Sequence, residues 1–290
     1  MAAPAVGSRD DYLGEHHVYT PHRAGVPPIP TYFRELWRRR QFVLELAQAE
    51  LKAQNYSTAL GQLWLVLSPL LNAAVYFVLV TIINPRRNDD PSFLPHLLGG
   101  IFAYTFLQGV ISQSAGSVVG GGKLILNTAF PRLLLPVTQV VVAFFRFLPT
   151  VPVLALVVVF TLRDQAGWSA LLAVPVFLLI VLTAAGLGFL AATLQVYFRD
   201  FKNLLPYILR LGLYLTPILY FAKDVGQGNR SLLLTLNPLA PVFRLWSDVI
   251  VLGSPGTWGL WAAAAAWALG FFAVGGLLFM SREREFAVRI

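Results

Sequence analysis

The chain contains six long apolar segments, and none of them includes an aspartate or a glutamate. Each segment comes close to the ~20 residues that an α-helix needs to cross the hydrocarbon core of a bilayer. A soluble chain that is 57% hydrophobic and only 12% charged would aggregate. The segments therefore predict an all-α integral membrane protein. The six predicted spans are 63–83, 97–118, 137–162, 169–195, 203–221 and 258–280.

The residues before the first span divide into two parts. Residues 1–32 are polar and carry several prolines, and they contain no apolar run like that of a signal peptide, so we expect a flexible cytoplasmic tail. In residues 33–52, apolar side chains recur every three or four positions while arginines occupy other faces. This pattern predicts an amphipathic helix in the headgroup plane, with an ordinary solvated helix as the alternative. Residues 53–290 are the predicted transmembrane domain.

The loop charges indicate the orientation in the cytoplasmic (inner) membrane. The predicted inner segments contain fourteen lysines and arginines and the outer segments contain six, so both termini are expected in the cytoplasm. The outer segment 222–257 is apolar but is interrupted at Asn237-Pro238. We expect two short re-entrant helices there, at a pore mouth, because broken backbone at membrane depth is buried in protein or lines a cavity.

No catalytic, nucleotide or metal site is evident in the sequence. The segment Gly116–Lys123 approximates a phosphate-binding loop, but Ser117 stands where its first glycine belongs and Leu124 follows the lysine. The segment Gly186–Ala191 fits a dinucleotide fingerprint, yet it lies inside an apolar span, where close helix packing explains the glycines better. The four histidines have no neighbouring ligand set.

The charged residues narrow the possible transport mechanisms. Carriers driven by protons or sodium usually need buried carboxylates, and the predicted spans have none, so any transport would be driven from elsewhere. The net charge of +8 is better explained by the membrane than by nucleic acid, because no basic run is interleaved with polar surface.

Several short motifs, taken in order, resemble the membrane subunit of ABC-2 type exporters of the polysaccharide and O-antigen group. Each motif alone is weak, but together they extend over residues 33–290. The motifs are Thr58–Trp64 with Pro69, Phe130-Pro131-Arg132 with Pro136, Phe198-Arg199-Asp200, Thr216–Tyr220, and Asn237-Pro238-Leu239 with Arg244.

The resemblance implies a transport subunit and not an enzyme. Two copies of the chain would work with two ATP-binding subunits, which would hold ATP and Mg²⁺, so this chain itself would hold no cofactor. The inner loop from Lys123 to Phe130 is expected to form a short helix that docks on the ATPase, with a plain connecting loop as the alternative. The residues assigned to ATPase coupling are Lys123, Asn127, Phe130, Arg199 and Asp200.

The predicted function is ATP-driven export of a polyprenyl-linked polysaccharide across the cytoplasmic membrane. A sugar chain presents hydroxyls and apolar C–H faces, so its pathway should offer hydrogen-bonding groups and aromatic rings. For single aromatic residues, the interfacial belt of membrane proteins is the alternative explanation. The predicted pathway residues are Tyr76, Phe102, Tyr104, Phe106, Gln108, Gln113, Tyr214 and Tyr220.

Two arginines lie inside predicted spans, Arg146 in the third and Arg210 in the fifth. An arginine at the centre of a span costs ~2.5–3.5 kcal/mol on insertion scales, and no carboxylate in any span can pair with either one. Guanidinium groups suit phosphate oxygens, so both are predicted to receive the pyrophosphate of the substrate. Snorkelling, or donation to glutamine side chains and backbone carbonyls, is the alternative. Arg38, Arg39 and Arg40 would collect the pyrophosphate at headgroup level, unless they bind anionic membrane lipid instead.

Other functions remain open at this point. The arginine-rich composition and the long tail favour an actinobacterial cell-wall galactan exporter within the polysaccharide group. A related exporter of a drug, a teichoic acid or a small lipid is one alternative. A polyprenol-dependent glycosyltransferase is another, although it would need acidic or histidine clusters at the membrane face. A passive channel is disfavoured by the motifs.

Overall fold

The computed structural model describes residues 29–55, 61–87, 89–128, 130–162, 168–225 and 234–289, and it contains no strand in these ranges. The α-helices of this part of the chain follow one another from the N-terminal region to the C-terminus. They are α1 (Ile29–Arg38), α2 (Arg40–Asn55), α3 (Trp64–Ile83), α4 (Phe93–Gly120), α5 (Gly122–Asn127), α6 (Leu134–Phe147), α7 (Thr150–Thr161), α8 (Ala173–Tyr197), α9 (Phe201–Leu215), α10 (Ala240–Ile250) and α11 (Trp258–Arg289).

Four helices of the described residues are long and apolar enough to span a membrane: α3, α4, α8 together with the turn before it, and α11. The third predicted span is broken into α6 and α7, which form a fifth candidate if they are one span bent by 41°. The bend falls at Leu148-Pro149, where the proline cannot donate a backbone hydrogen bond.

The fifth predicted span, 203–221, is helical only as far as Leu215. Thr216 is extended, with φ −85° and ψ 143°, because the ring of Pro217 disfavours helical backbone in the residue before it. The six-span prediction therefore overestimated the length of this helix, and residues 216–221 form a non-helical segment after α9.

The hydrophobic core is built around α4, which packs against α3, α6, α8 and α9. Helices α8 and α11 pack closely enough for their backbones to touch. A Cβ atom on Gly275 would lie 2.2 Å from the carbonyl oxygen of Gly186, and one on Gly186 would lie 2.3 Å from the carbonyl carbon of Phe271. The prediction that the Gly186 motif serves helix packing is confirmed.

The predicted amphipathic helix 33–52 is two helices, α1 and α2, which meet at Arg39. Helix α1 begins at Ile29, inside the predicted tail, and the remainder of that tail (1–28) lies outside the described residues. A stripe of apolar side chains on α1, formed by Ile29, Phe33 and Trp37, is exposed. Helix α2 instead packs against α6.

The connecting segments contain two shorter helices in predicted places. Helix α5 occupies the inner loop, where a short helix was expected. Helix α10 corresponds to the second of the two helices expected in 222–257, while the first falls largely outside the described residues.

Candidate functional site

Four predicted site residues line one cavity of about 310 Å³ between α3, α4 and α6. They are Phe102, Phe106 and Gln113 on α4, and Arg146 on α6. We call this cavity the Arg146 groove. The full lining is Trp64, Leu65, Ser68, Pro69, Phe102, Thr105, Phe106, Gly109, Gln113, Ala143, Arg146, Phe147 and Thr150.

Among the described residues, no carboxylate lines the Arg146 groove, but one approaches from outside the spans. Glu50 on α2 accepts hydrogen bonds at 3.1 Å from the side-chain amide of Gln139, two turns before Arg146 on α6. The same carboxylate is near enough to attract the Arg146 guanidinium. The sequence did not indicate Glu50 as a partner of Arg146, because Glu50 lies outside the predicted spans, in a helix that was predicted to lie in the headgroup plane.

Helix α4 exposes polar side chains in its middle. Between Phe93 and Val118 the exposed residues are Thr105 and Gln108, and Ser112 is half-buried one turn further on. We call these three residues the polar face of α4. Polar groups at this depth normally face the protein interior or a water-filled cavity, because hydrocarbon offers them no hydrogen bonds. Thr105 was not among the predicted pathway residues, although its spacing from Gln108 and Ser112 places all three on one side of a helix.

On the side of α4 that faces α9, four more predicted residues come together. The rings of Tyr76 on α3 and Tyr214 on α9 meet edge to face, with centroids 6.3 Å apart. Tyr104 donates its hydroxyl hydrogen bond to the carbonyl of Leu209 on α9. Arg210 follows Leu209, is exposed, and lies near enough to Tyr76 to interact with it electrostatically. We call this group the tyrosine cluster.

Tyr220 lies apart from the tyrosine cluster, in the non-helical segment after α9. Its hydroxyl donates to the carbonyl of Leu215 at 2.8 Å, and its own carbonyl oxygen lies 3.2 Å from His96 Nε2. The other nitrogen of that buried histidine, Nδ1, is 2.7 Å from Ser247 Oγ on α10. His96 therefore ties the start of α4 to two neighbouring segments.

The residues predicted to couple to an ATPase fall into two places. Asn127 and Phe130 line a cavity of about 450 Å³ beside α5, which we call the inner-loop cavity. Lys123 is exposed on α5. Arg199 and Asp200 are exposed in the turn between α8 and α9, and neither of them lines the inner-loop cavity.

A polar network adjoins the inner-loop cavity, which two of its members, Arg132 and Glu283, line. Tyr32 on α1 donates a hydrogen bond of 2.6 Å to the Glu283 carboxylate on α11, and Arg132 donates to the Glu283 carbonyl. Burial raises the pKa of Tyr32, so its phenol stays protonated and remains a donor. Nothing in the sequence distinguished Tyr32 or Glu283, since their contact joins residues from opposite ends of the chain.

The three arginines predicted to meet the substrate first lie at the junction of α1 and α2. Arg39 forms an ion pair of 3.1 Å with Glu35, and the Arg40 guanidinium lies 5.1 Å from the centre of the Trp37 ring. Arg38 is exposed. None of the three lines the Arg146 groove or the inner-loop cavity.

No family model matches the chain. Three curated relatives do match it, and each bears the name O-antigen export system permease protein RfbA. One, from Myxococcus xanthus, is 30% identical over 260 residues, which are 89% of this chain and 98% of the relative. Two from Klebsiella pneumoniae are 29% and 28% identical over 210 and 211 residues, which are 72% of this chain and 79% and 80% of the relatives.

Proposed function

The chain belongs to the family of O-antigen export permeases, which are ABC-2 type permeases, and from this premise we propose what it moves and how. It is the transmembrane subunit of an ATP-driven exporter that carries a polyprenyl-linked polysaccharide across the cytoplasmic membrane. The relatives' name supports a permease for a polysaccharide. We add to this that the polysaccharide is linked to a lipid and that ATP drives its transport.

The polar face of α4 is the observation that carries the proposal. Most residues in the central part of α4 are buried or half-buried. The two that are exposed there, Gln108 and Thr105, carry an amide and a hydroxyl. Sugar hydroxyls can exchange hydrogen bonds with such groups as a glycan moves past. The Arg146 groove on one side and the tyrosine cluster on the other supply aromatic rings for the apolar faces of the sugar.

The two arginines within the spans suit the charged part of the substrate. Arg146 lies in the groove beside the polar face, and Arg210 lies in the tyrosine cluster on the side of α9. A guanidinium donates two parallel hydrogen bonds to phosphate oxygens, so each can receive the pyrophosphate between lipid and sugar. Arg38, Arg39 and Arg40 would collect that group from the membrane surface.

The proposed assembly is supported by helix faces that this chain leaves uncovered. Helix α3 buries little more than Pro69 and Ala73, and the buried side chains of α9 are Leu205, Leu209 and Leu213. We infer that a second copy of the chain covers these faces, so that two polar faces of α4 border one pathway. Two ATP-binding subunits would dock on α5 and the turn between α8 and α9.

The proposed arrangement in the membrane counts α6 with α7 as one span and α9 as another, which gives six. Helix α10 would then re-enter the outer leaflet, and both termini would lie in the cytoplasm. The exposed apolar stripe of α1 supports a position in the headgroup plane, where Trp37 and the neighbouring arginines suit the interface.

Substituting the two arginines tests the proposal. In a reconstituted complex with its ATP-binding partner, Arg146→Gln and Arg210→Gln should keep basal ATP hydrolysis but lose its stimulation by polyprenyl diphosphate-linked glycan. Lysine at either position should retain part of the stimulation, because the charge survives while the two-pronged contact is lost. Arg86→Gln, in an exposed outer turn, serves as the control. Normal stimulation and export by the glutamine variants would assign both arginines a purely structural role.

A further inference from the structure

A second cavity lies on the far side of the bend between α6 and α7, and we call it the α7 groove. Its volume is about 280 Å³, and the two polar side chains in its described lining both donate to backbone carbonyls, Trp246 to that of Gly99 and Ser169 to that of Val249. Only an apolar ligand suits such a site. The lining is Phe147, Val151, Leu154, Ala155, Val158, Val159, Ser169, Ala170, Ala173, Trp246, Val249 and Ile250.

The groove results from the bend itself. Helix α6 packs against both α4 and α8, whereas α7, tilted by 41° after Leu148-Pro149, packs against α4 and α6. The tilt leaves a space between α7, the start of α8 and α10. Val151 and Val159 remain 43% and 56% exposed at its rim, so the groove opens towards the surroundings of the bundle.

A wall of aromatic rings joins the α7 groove to the Arg146 groove. Phe147 lines both cavities, and its ring stacks on Phe177 with centroids 4.4 Å apart. Phe177 in turn contacts Phe106, which lines the Arg146 groove, and Trp246, which lines the α7 groove. Phe147, the residue after Arg146, therefore borders both the cavity that Arg146 lines and the apolar α7 groove.

We propose that the α7 groove binds the isoprenoid tail of a polyprenyl-linked substrate whose phosphate lies at Arg146. This inference rests on the proposed function and names the lipid subsite of the same pathway. In a polyprenyl phosphate the phosphate is bonded directly to a single chain, which matches a cavity lined by an arginine next to an apolar groove that shares Phe147 with it. A phospholipid would place polar ester groups and a second chain at that point. Those esters would find no free side-chain donor among the described residues of the α7 groove.

A photoreactive polyprenyl diphosphate with a benzophenone in its tail tests the assignment on the complete complex with its ATP-binding partner. Irradiation should label peptides of α7 and α10, and unlabelled polyprenyl diphosphate should compete for the label while phosphatidylglycerol should not. Ala155→Phe and Ala173→Phe fill the groove and should lower the labelling about tenfold, which corresponds to 1.4 kcal/mol of binding free energy. Ala266→Phe, at an exposed position of α11, should leave it unchanged.

Equal competition by phosphatidylglycerol would make the groove a general lipid site and overturn the proposal. Labelling confined to other helices would also overturn the proposal. This outcome is measured on the unmodified chain, so it does not depend on whether the Ala155→Phe and Ala173→Phe variants fold. If the complex exports glycan without labelling the groove, the tail site is wrong and the proposed function stands. If the groove is labelled but no glycan is exported, the proposed function fails and the prenyl site stands.

Discussion

Hydroxyls buried in the helices of this chain commonly donate to the carbonyl oxygen four residues earlier, as Thr138, Thr183 and Thr193 do. This local bond satisfies the side chain without any partner from another helix. Thr105 and Gln108 differ, because both are exposed in the middle of α4 and Thr105 also lines the Arg146 groove. At the scale of the residue, this exposure is the reason for proposing Thr105 and Gln108 as pathway positions.

The Tyr32–Glu283 bond gives a prediction at the same scale. Tyr32→Phe removes the phenol hydroxyl that donates to a buried carboxylate at 2.6 Å. Hydrogen bonds to charged groups contribute roughly 1.5–3 kcal/mol, so the variant should lower the melting temperature of the purified protein in detergent. Tyr207→Phe is the control, since the Tyr207 ring is 69% exposed on α9. Equal melting temperatures for the two variants would show that the bond contributes nothing to stability.

At the scale of the helix, the apolar runs of the sequence predicted where the long helices lie, but not where a helix is interrupted. The first predicted span and α3 agree to within one residue, and Pro69, near the start of α3, does not interrupt that helix. The third and fifth spans differ from the prediction because Pro149 and Pro217 interrupt the backbone while the apolar composition continues. The break between α1 and α2 has no comparable signal in the sequence.

The contact between α8 and α11 gives the prediction at this scale. Gly275→Ala should destabilise the protein by about 1–3 kcal/mol, the usual cost of overpacking, because the new methyl meets the backbone of Gly186. Gly270→Ala, on the same helix with nothing near its Cβ position, should be neutral or stabilise slightly. Thermal unfolding of both variants in detergent measures the difference. If Gly275→Ala melts no lower than Gly270→Ala, the helices do not pack as closely as described.

At the scale of the whole molecule, the candidate site could be predicted only in part. Helical spacing is enough to place Phe102 and Phe106 on one side of α4 and Tyr104 on another, but it cannot show which helix each side meets. Tertiary packing decides that the first two line the Arg146 groove while Tyr104 contacts α9. The α7 groove was not foreseen at all, because it arises from a bend within a predicted span.

The same packing separates two groups of proposed residues. The residues proposed to contact the substrate lie around α4, whereas Asn127 and Phe130, proposed to contact the ATP-binding subunit, line the inner-loop cavity beside α5. In the proposed mechanism, ATP hydrolysis in the partner subunit moves a glycan past the residues around α4.

Transport by purified components in sealed vesicles tests this central claim most directly. The chain and its ATP-binding partner are reconstituted together, polyprenyl diphosphate-linked glycan is supplied on the side of the partner, and glycan reaching the opposite side is counted. We predict transfer that needs ATP and this chain, and that stops when the partner carries a substitution abolishing hydrolysis. Transfer that continues at the same rate without ATP hydrolysis, or no transfer by a complex that hydrolyses ATP in response to the glycan, would contradict the account.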